Sequence, residues 1–212
     1  MLSITDPKIL IVGGGEIGSG LSILYSCLKD NIIAFDIYES QNVDFVADAH
    51  FIPIQGDYFD LVIIQAVLEH VLDPKQVVAE ISRVLKNDGI VYAETPFMQQ
   101  VHEGPFDFTR FSESGHRFLF NNFKQISSGY TSGVGTSLVW ALDFFFSGLF
   151  RSRYVGKIAR IVFFWLRLFD NIVPDTFNID GACGVYFMGK KAEVNQSGCE
   201  IIEYYQGNHK IN

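Results

Sequence analysis

The 212-residue sequence predicts a single α/β domain built on a doubly wound, mostly parallel sheet. Three observations carry that expectation. Short apolar runs alternate with helical patterns through the first half of the chain; a glycine-rich loop, Gly13-Gly14-Gly15, separates the first run from the first helical pattern; and Gly89 and Pro96 bracket a later run.

The elements read in order as follows. Residues 8–12 are strand one, 17–28 a helix, 31–37 strand two, 44–47 a short strand three and 60–65 strand four. Asp73 is an N-cap ahead of a first-turn Pro74, and Val77, Val78, Ile81, Val84 and Leu85 recur at helical spacing up to Asn87-Asp88-Gly89. Residues 90–94 are strand five, which stops at Pro96. The aromatic, Gly/Pro-marked stretch 102–120 reads as a loop over the carboxyl edge of the sheet, followed by a short helix from Ser112. Strand six falls at 124–129 and a last strand at 182–189, with two very apolar helical segments joined by residues 151–156 between them. The domain is therefore expected to span 1–192, with a helical apolar insertion at 137–173 and a polar, poorly ordered tail from Glu193.

Composition narrows the function. Hydrophobic residues make up 48% and charged residues 19%, a folding composition, and the formal charge of −8 argues against a nucleic-acid partner held by general phosphate attraction. Cys27, Cys183 and Cys199 show no Cys-x-x-Cys pair and no His at ligand spacing, so free thiols and no metal are expected. No targeting segment is evident, and the longest apolar stretches fall short of the roughly 20 residues a spanning helix needs, which predicts a cytoplasmic protein.

The loop Gly13-Gly14-Gly15-Glu16-Ile17-Gly18 lets the backbone turn sharply and approach a bound cofactor. Gly13, Gly15 and Gly18 also fit the dinucleotide pattern G-x-G-x-x-G, so the loop alone leaves NAD and S-adenosyl-L-methionine open. Asp36 closes strand two, where a carboxylate can accept from ribose hydroxyls of either cofactor.

The block from residue 47 to 96 separates them. Asp48-Ala49-His50-Phe51-Ile52-Pro53, Phe59-Asp60-Leu61-Val62-Ile63-Ile64, Val67-Leu68-Glu69-His70-Val71-Leu72-Asp73-Pro74, Glu80-Ile81-Ser82-Arg83-Val84-Leu85-Lys86-Asn87-Asp88-Gly89 and Glu94-Thr95-Pro96 resemble, in order and spacing, class I S-adenosylmethionine-dependent methyltransferases of the type 11-like group. The resemblance implies a Rossmann-like fold and S-adenosyl-L-methionine as cofactor. It implies that Gly13 and Gly15 line the methionine part, Asp36 holds the ribose, Asp48 and Ala49 face the adenine, and Gln65 lies beside the amino-acid moiety or the methyl group. Many relatives carry an acidic residue where this chain has Ile11, so the methionine ammonium needs another partner. Glu69 and His70 read as packing and capping residues, and His50 as structural or at the rim of the adenine pocket.

The segment Pro96-Phe97-Met98-Gln99-Gln100-Val101-His102-Glu103-Gly104-Pro105-Phe106-Asp107-Phe108-Thr109-Arg110-Phe111 gathers a base, acids and a guanidinium among aromatics. It resembles methyltransferases linked to glycan or surface-polysaccharide synthesis. His102 is the candidate base toward an acceptor hydroxyl, Asp107 or Glu103 its orienting partner and Arg110 a third site residue, against the alternative of a loop tied down by an Asp107–Arg110 ion pair. The acceptor expected is a small molecule or a glycan.

Residues 137–173 carry Arg151, Arg153, Lys157, Arg160 and Arg167 against Asp143 and Asp170, a net +3 that leaves −11 on the rest of the chain. That pattern suits a lid over the acceptor site, a homodimer surface or a peripheral membrane contact. Two other functions compete: an NAD-dependent oxidoreductase or epimerase, which would lack the Tyr-x-x-x-Lys pair of short-chain enzymes, and a non-catalytic cofactor-binding module.

Overall fold

A computed structural model describes residues 5–192 and 196–209. Seven strands form one sheet in the order β3-β2-β1-β4-β5-β7-β6, with β1 Ile9–Val12, β2 Ile32–Asp36, β3 Phe45–Val46, β4 Phe59–Gln65, β5 Leu85–Pro96, β6 Phe123–Ser132 and β7 Gly184–Lys191. The first five run parallel, and β7 inserts antiparallel between β5 and β6. This is the doubly wound α/β architecture that the alternating pattern predicts. It departs from the all-parallel dinucleotide-binding order at that antiparallel strand.

Strand alternation divides the core between the two faces of the sheet. Leu10 and Val12 point to one side, where they meet Val62 and Ile64 and the apolar stripe of α2 (Pro74–Val84), namely Val77, Val78, Ile81 and Val84. Ile9 and Ile11 point to the other, against Ala34 and Ile63, with Leu21, Leu24 and Leu28 packed over them from the stretch that holds α1 (Ser22–Leu28). The Asp73 carboxylate accepts from the amides of Lys75 and Gln76, so α2 begins where its cap and first-turn proline place it.

Several expected boundaries move. The first helix begins at Ser22 rather than residue 17, because Gly18 and Gly20 keep the chain in turns, Gly20 with a φ of 82°. Asn87-Asp88-Gly89 lies inside β5: the strand pairs with β4 through Phe59–Leu85, bulges with Asp88 at a φ of 68°, and resumes at Leu61–Ile90.

Beyond β5 a loop leads through a 3-10 turn to α3 (Glu113–Leu119), capped by Ser112. The insertion holds α4 (Val134–Leu149), α5 (Arg153–Val162), a 3-10 segment (Phe164–Asn171) and α6 (Asp175–Asp180). Gly156 permits α4 and α5 to touch, since a Cβ there would overlap Ser147 and Asp143. Described parts of the tail are ordered, contrary to expectation: α7 (Gly198–Glu203) carries a capping box and buries Ile201, whose carbonyl accepts from the buried Arg117 guanidinium at 3.0 Å. Residues 193–195 and 210–212 of that tail lie outside the described residues.

Candidate functional site

The carboxyl ends of β1, β2 and β4 meet at the glycine loop. Gly13 has a φ of 76°, and the amides of Gly13 and Gly14 both donate to the Phe35 carbonyl at 2.9 Å, folding the loop back over β2. A Cβ at Gly13 would overlap the Val67 side chain, so this glycine is required by the turn itself as well as by any ligand. Gly15 donates to Oδ2 of Asp36 at 2.9 Å, while Oδ1 receives only a long contact of 3.4 Å from the Tyr38 amide. One carboxylate oxygen therefore orders the loop and the other retains most of its accepting capacity.

Gln65, the last residue of β4, donates from Nε2 to the Ser19 carbonyl at 3.3 Å, and its Oε1 is buried with no donor. A Cβ at Gly18 would overlap that oxygen, so the glycine loop and the end of β4 face each other across a space that only glycine leaves open. Asp48 lies at the mouth, its carboxylate 61% exposed and held below the usual range chiefly by the His50 amide, and Ala49 is buried behind it. The His50 ring spans Asp48 at 2.6 Å and the Asp73 amide at 3.1 Å, the structural role expected of it. Ile11 is buried in the sheet and offers no charge. A cradle without Cβ atoms, a carboxylate with accepting capacity and an orphaned buried acceptor are features a nucleoside carrying an ammonium group would satisfy.

The second half of the site begins where β4 ends. Ala66, at a φ of 52°, turns the chain left-handed and tucks Glu69 inside, fully buried. The Glu69 carbonyl accepts from the amides of Phe108 at 2.8 Å and Thr109 at 3.3 Å, which pins the loop after β5 onto this turn. No other described residue donates to either carboxylate oxygen of Glu69, and although its own amide favours the charged form, burial pushes its pKa up to about 7. Around it stand His70 and His102, with Nε2 atoms 3.6 Å and 3.8 Å from Oε1 and ring centroids 5.0 Å apart. In the sequence Glu69 and His70 read as packing and capping residues, and the cluster is not visible there because His102 approaches only through the loop that the Glu69 carbonyl holds.

Of the two candidate partners, Asp107 is the one beside His102: the His102 amide donates to Asp107 Oδ2 at 3.0 Å, and its Nδ1 lies 3.5 Å from the same oxygen. Arg110 is not free for a ligand. Its Nε donates to the Gln99 carbonyl at 3.0 Å, and its two terminal nitrogens bond Asp107, the Thr109 carbonyl and the Gln100 carbonyl, engaging all five donors. The bidentate Arg110 contact is also the main cause that holds the Asp107 carboxyl down at about 2. Arg110 thus braces the loop, the ion-paired arrangement that the sequence also allowed. Gln99, Gln100, Asp107, Arg110 and Phe144 line a cavity of about 500 Å³ between this loop and α4.

Residues 15–93 match the model of a methyltransferase domain family. No curated protein matches the sequence. Among solved structures, the chain is similar to a Galdieria sulphuraria protein described as a sarcosine dimethylglycine methyltransferase, at 14% identity and a TM-score of 0.54 over 89% of this chain and 79% of that one. It is similar to an S-adenosylmethionine-dependent methyltransferase from Aquifex aeolicus at 13% identity and a TM-score of 0.52, over 88% and 83%. A coclaurine N-methyltransferase bound to N-methylheliamine and S-adenosylhomocysteine matches at 15% and 0.52, over 89% and 68%. These likenesses show a Rossmann-like methyltransferase fold, and none of the three is an oxidoreductase.

Proposed function

We propose that this chain transfers the methyl group of S-adenosyl-L-methionine to a hydroxyl of a sugar or other small molecule held against the 99–110 loop. The observation that carries the reading is the facing pair at one sheet edge: the cradle of Gly13, Gly15, Gly18, Asp36 and Gln65, followed within one turn of chain by the cluster that holds His102. When bound, the cofactor supplies a methyl group already activated on a sulfonium, so the chain's own work is positioning, exclusion of water and handling of one proton.

Gly13 and Gly15 would line the methionine part, Asp36 Oδ1 would accept from the ribose, and Asp48 with Ala49 would border the adenine. Gln65 Oε1 would accept from the methionine ammonium, the partner that Ile11 does not provide. His102 places Nδ1 at 3.3 Å from the Gln100 carbonyl and beside Asp107, which keeps the proton on Nδ1 and leaves Nε2 as the base toward a hydroxyl. The reading is tested by His102→Gln with sugars as acceptors. S-adenosylhomocysteine formation is expected to fall about 100-fold with cofactor affinity unchanged; full turnover would reject His102 as the base.

The insertion supports a second part of the reading. Phe144 of α4 lines one side of the open cavity, while Tyr154, Ile158 and Ile161 of α5 are 80%, 60% and 75% exposed beside Arg153, Lys157 and Arg160. An outward apolar face flanked by cations, on a chain otherwise negative, matches an anionic lipid surface. No helix among the described residues is long and apolar enough to cross a membrane, so the contact would be peripheral.

A further inference from the structure

We infer that Glu69, His70 and His102 together bind a divalent first-row cation, with Zn²⁺ the best suited. Their ligating atoms lie within 4.8 Å of one another, brought there by the turn after β4 and the loop after β5.

His70 Nδ1 lies 2.7 Å from the Phe106 carbonyl, which can only accept, so the hydrogen is on Nδ1 and the Nε2 lone pair is free. His102 Nδ1 faces the Gln100 carbonyl and Asp107, which sets the same tautomer. Both lone pairs are thus directed toward a carboxylate that no donor of another described residue reaches. Three acceptors gathered around a common space, one of them fully buried, repel one another unless a proton or a cation sits among them.

Distance selects a cation over a network of hydrogen bonds. The 3.6 Å and 3.8 Å separations are too long for direct N–H···O bonds. They are near the edge of a tetrahedron whose centre lies about 2.1 Å from each ligand, roughly 3.4 Å, and the two imidazole nitrogens, within 4.8 Å of each other, would have to close by at most about 1.4 Å to complete it. The outer contacts agree: metal-binding imidazoles usually donate their second N–H to a backbone carbonyl or a carboxylate, as both rings do here. Two imidazoles and one carboxylate suit Zn²⁺ or a neighbouring transition metal far better than Mg²⁺ or Ca²⁺, which take oxygen ligands.

Three protein ligands leave at least one coordination position for water or for an acceptor oxygen, the arrangement of zinc sites that take part in reactions rather than structural ones. Asp107 touches His102 and also lines the 500 Å³ cavity, so cluster and cavity share a wall. The inference deepens the methyl-transfer reading by adding a cation beside the acceptor; in the loaded protein the His102 lone pair is spent on the metal, and its role as base belongs to the metal-free form.

The test uses the full chain without an affinity tag, stripped by chelator and titrated with Co²⁺, read by its visible ligand-field absorption and by displacement with Zn²⁺. One equivalent is expected to bind, with affinity lowered about tenfold or more in each of Glu69→Gln, His70→Gln and His102→Gln. Absence of binding in the parent chain, or unchanged affinity in all three variants, overturns the inference. Should Glu69→Gln fail to fold, His102→Gln decides, because that ring sits on a loop outside the core. S-adenosylhomocysteine affinity measured on the same samples keeps the two claims apart: Co²⁺ binding without nucleoside binding would sink the methyltransferase reading alone, and the converse would sink the metal site alone.

Discussion

Asp36→Ala is the substitution whose effect the geometry fixes most closely. In the parent, Oδ2 is committed to the Gly15 amide at 2.9 Å, and Oδ1, with only the 3.4 Å Tyr38 contact, is the oxygen available to a ribose hydroxyl. Removing the carboxylate deletes that acceptor and releases Gly15 from its anchor, so the loss includes one charge-assisted bond and the cost of a less ordered loop. A hydrogen bond to a charged group is worth about 1.5–3 kcal/mol, which converts to a roughly 10-fold to 150-fold weaker dissociation constant. Asp36→Asn keeps one acceptor but loses the charge, and is expected to fall between the parent and alanine. The assay is calorimetric titration with S-adenosylhomocysteine, beside a thermal melt showing that the fold is retained. An unchanged constant in Asp36→Ala would refute the assignment of the ribose to this strand end.

Two further outcomes follow from burial. His116 is fully buried, and desolvation depresses its pKa from 6.5 to about 3, so the unfolded chain takes up a proton below pH 6.5 that the folded chain refuses. Stability is therefore intact above 6.5 and lost toward 3 at about 1.4 kcal/mol per pH unit, a slope that urea unfolding of His116→Leu at about pH 7 and pH 4.5 should show removed, whereas equal slopes would contradict it. Phe145→Ser with Trp165→Gln alters side chains 60% and 53% exposed; the melting temperature should hold, while co-sedimentation with anionic vesicles falls and turnover on a soluble acceptor stays. Unchanged sedimentation would remove the lipid-facing role.

What the sequence shows and what it hides differ by the range of the interaction. Asp73-Pro74 and the stripe from Val77 to Val84 announce α2 because cap, ring constraint and periodicity are local. The glycine loop and Asp36 are legible because one strand end and one turn suffice to bring them together. Glu69 is not: its burial depends on the left-handed Ala66 and on amides of Phe108 and Thr109, nearly forty residues on, so in sequence it is one more surface-like acid beside a helix. Arg110 misleads in the opposite direction, since a guanidinium among aromatics suggests a ligand contact until the carbonyls of Gln99, Gln100 and Thr109 are seen to occupy it. Asn87-Asp88-Gly89 carries turn chemistry and does produce one, but as a bulge within β5 rather than as its boundary.

Calorimetric titration of the intact chain with S-adenosylhomocysteine and, separately, with NAD tests the central claim most directly. Saturable one-to-one binding of S-adenosylhomocysteine is expected, with NAD weaker by about 100-fold or more, a gap of roughly 2.7 kcal/mol. Preferential binding of NAD, or no binding of S-adenosylhomocysteine by a chain shown to be folded, would contradict the account.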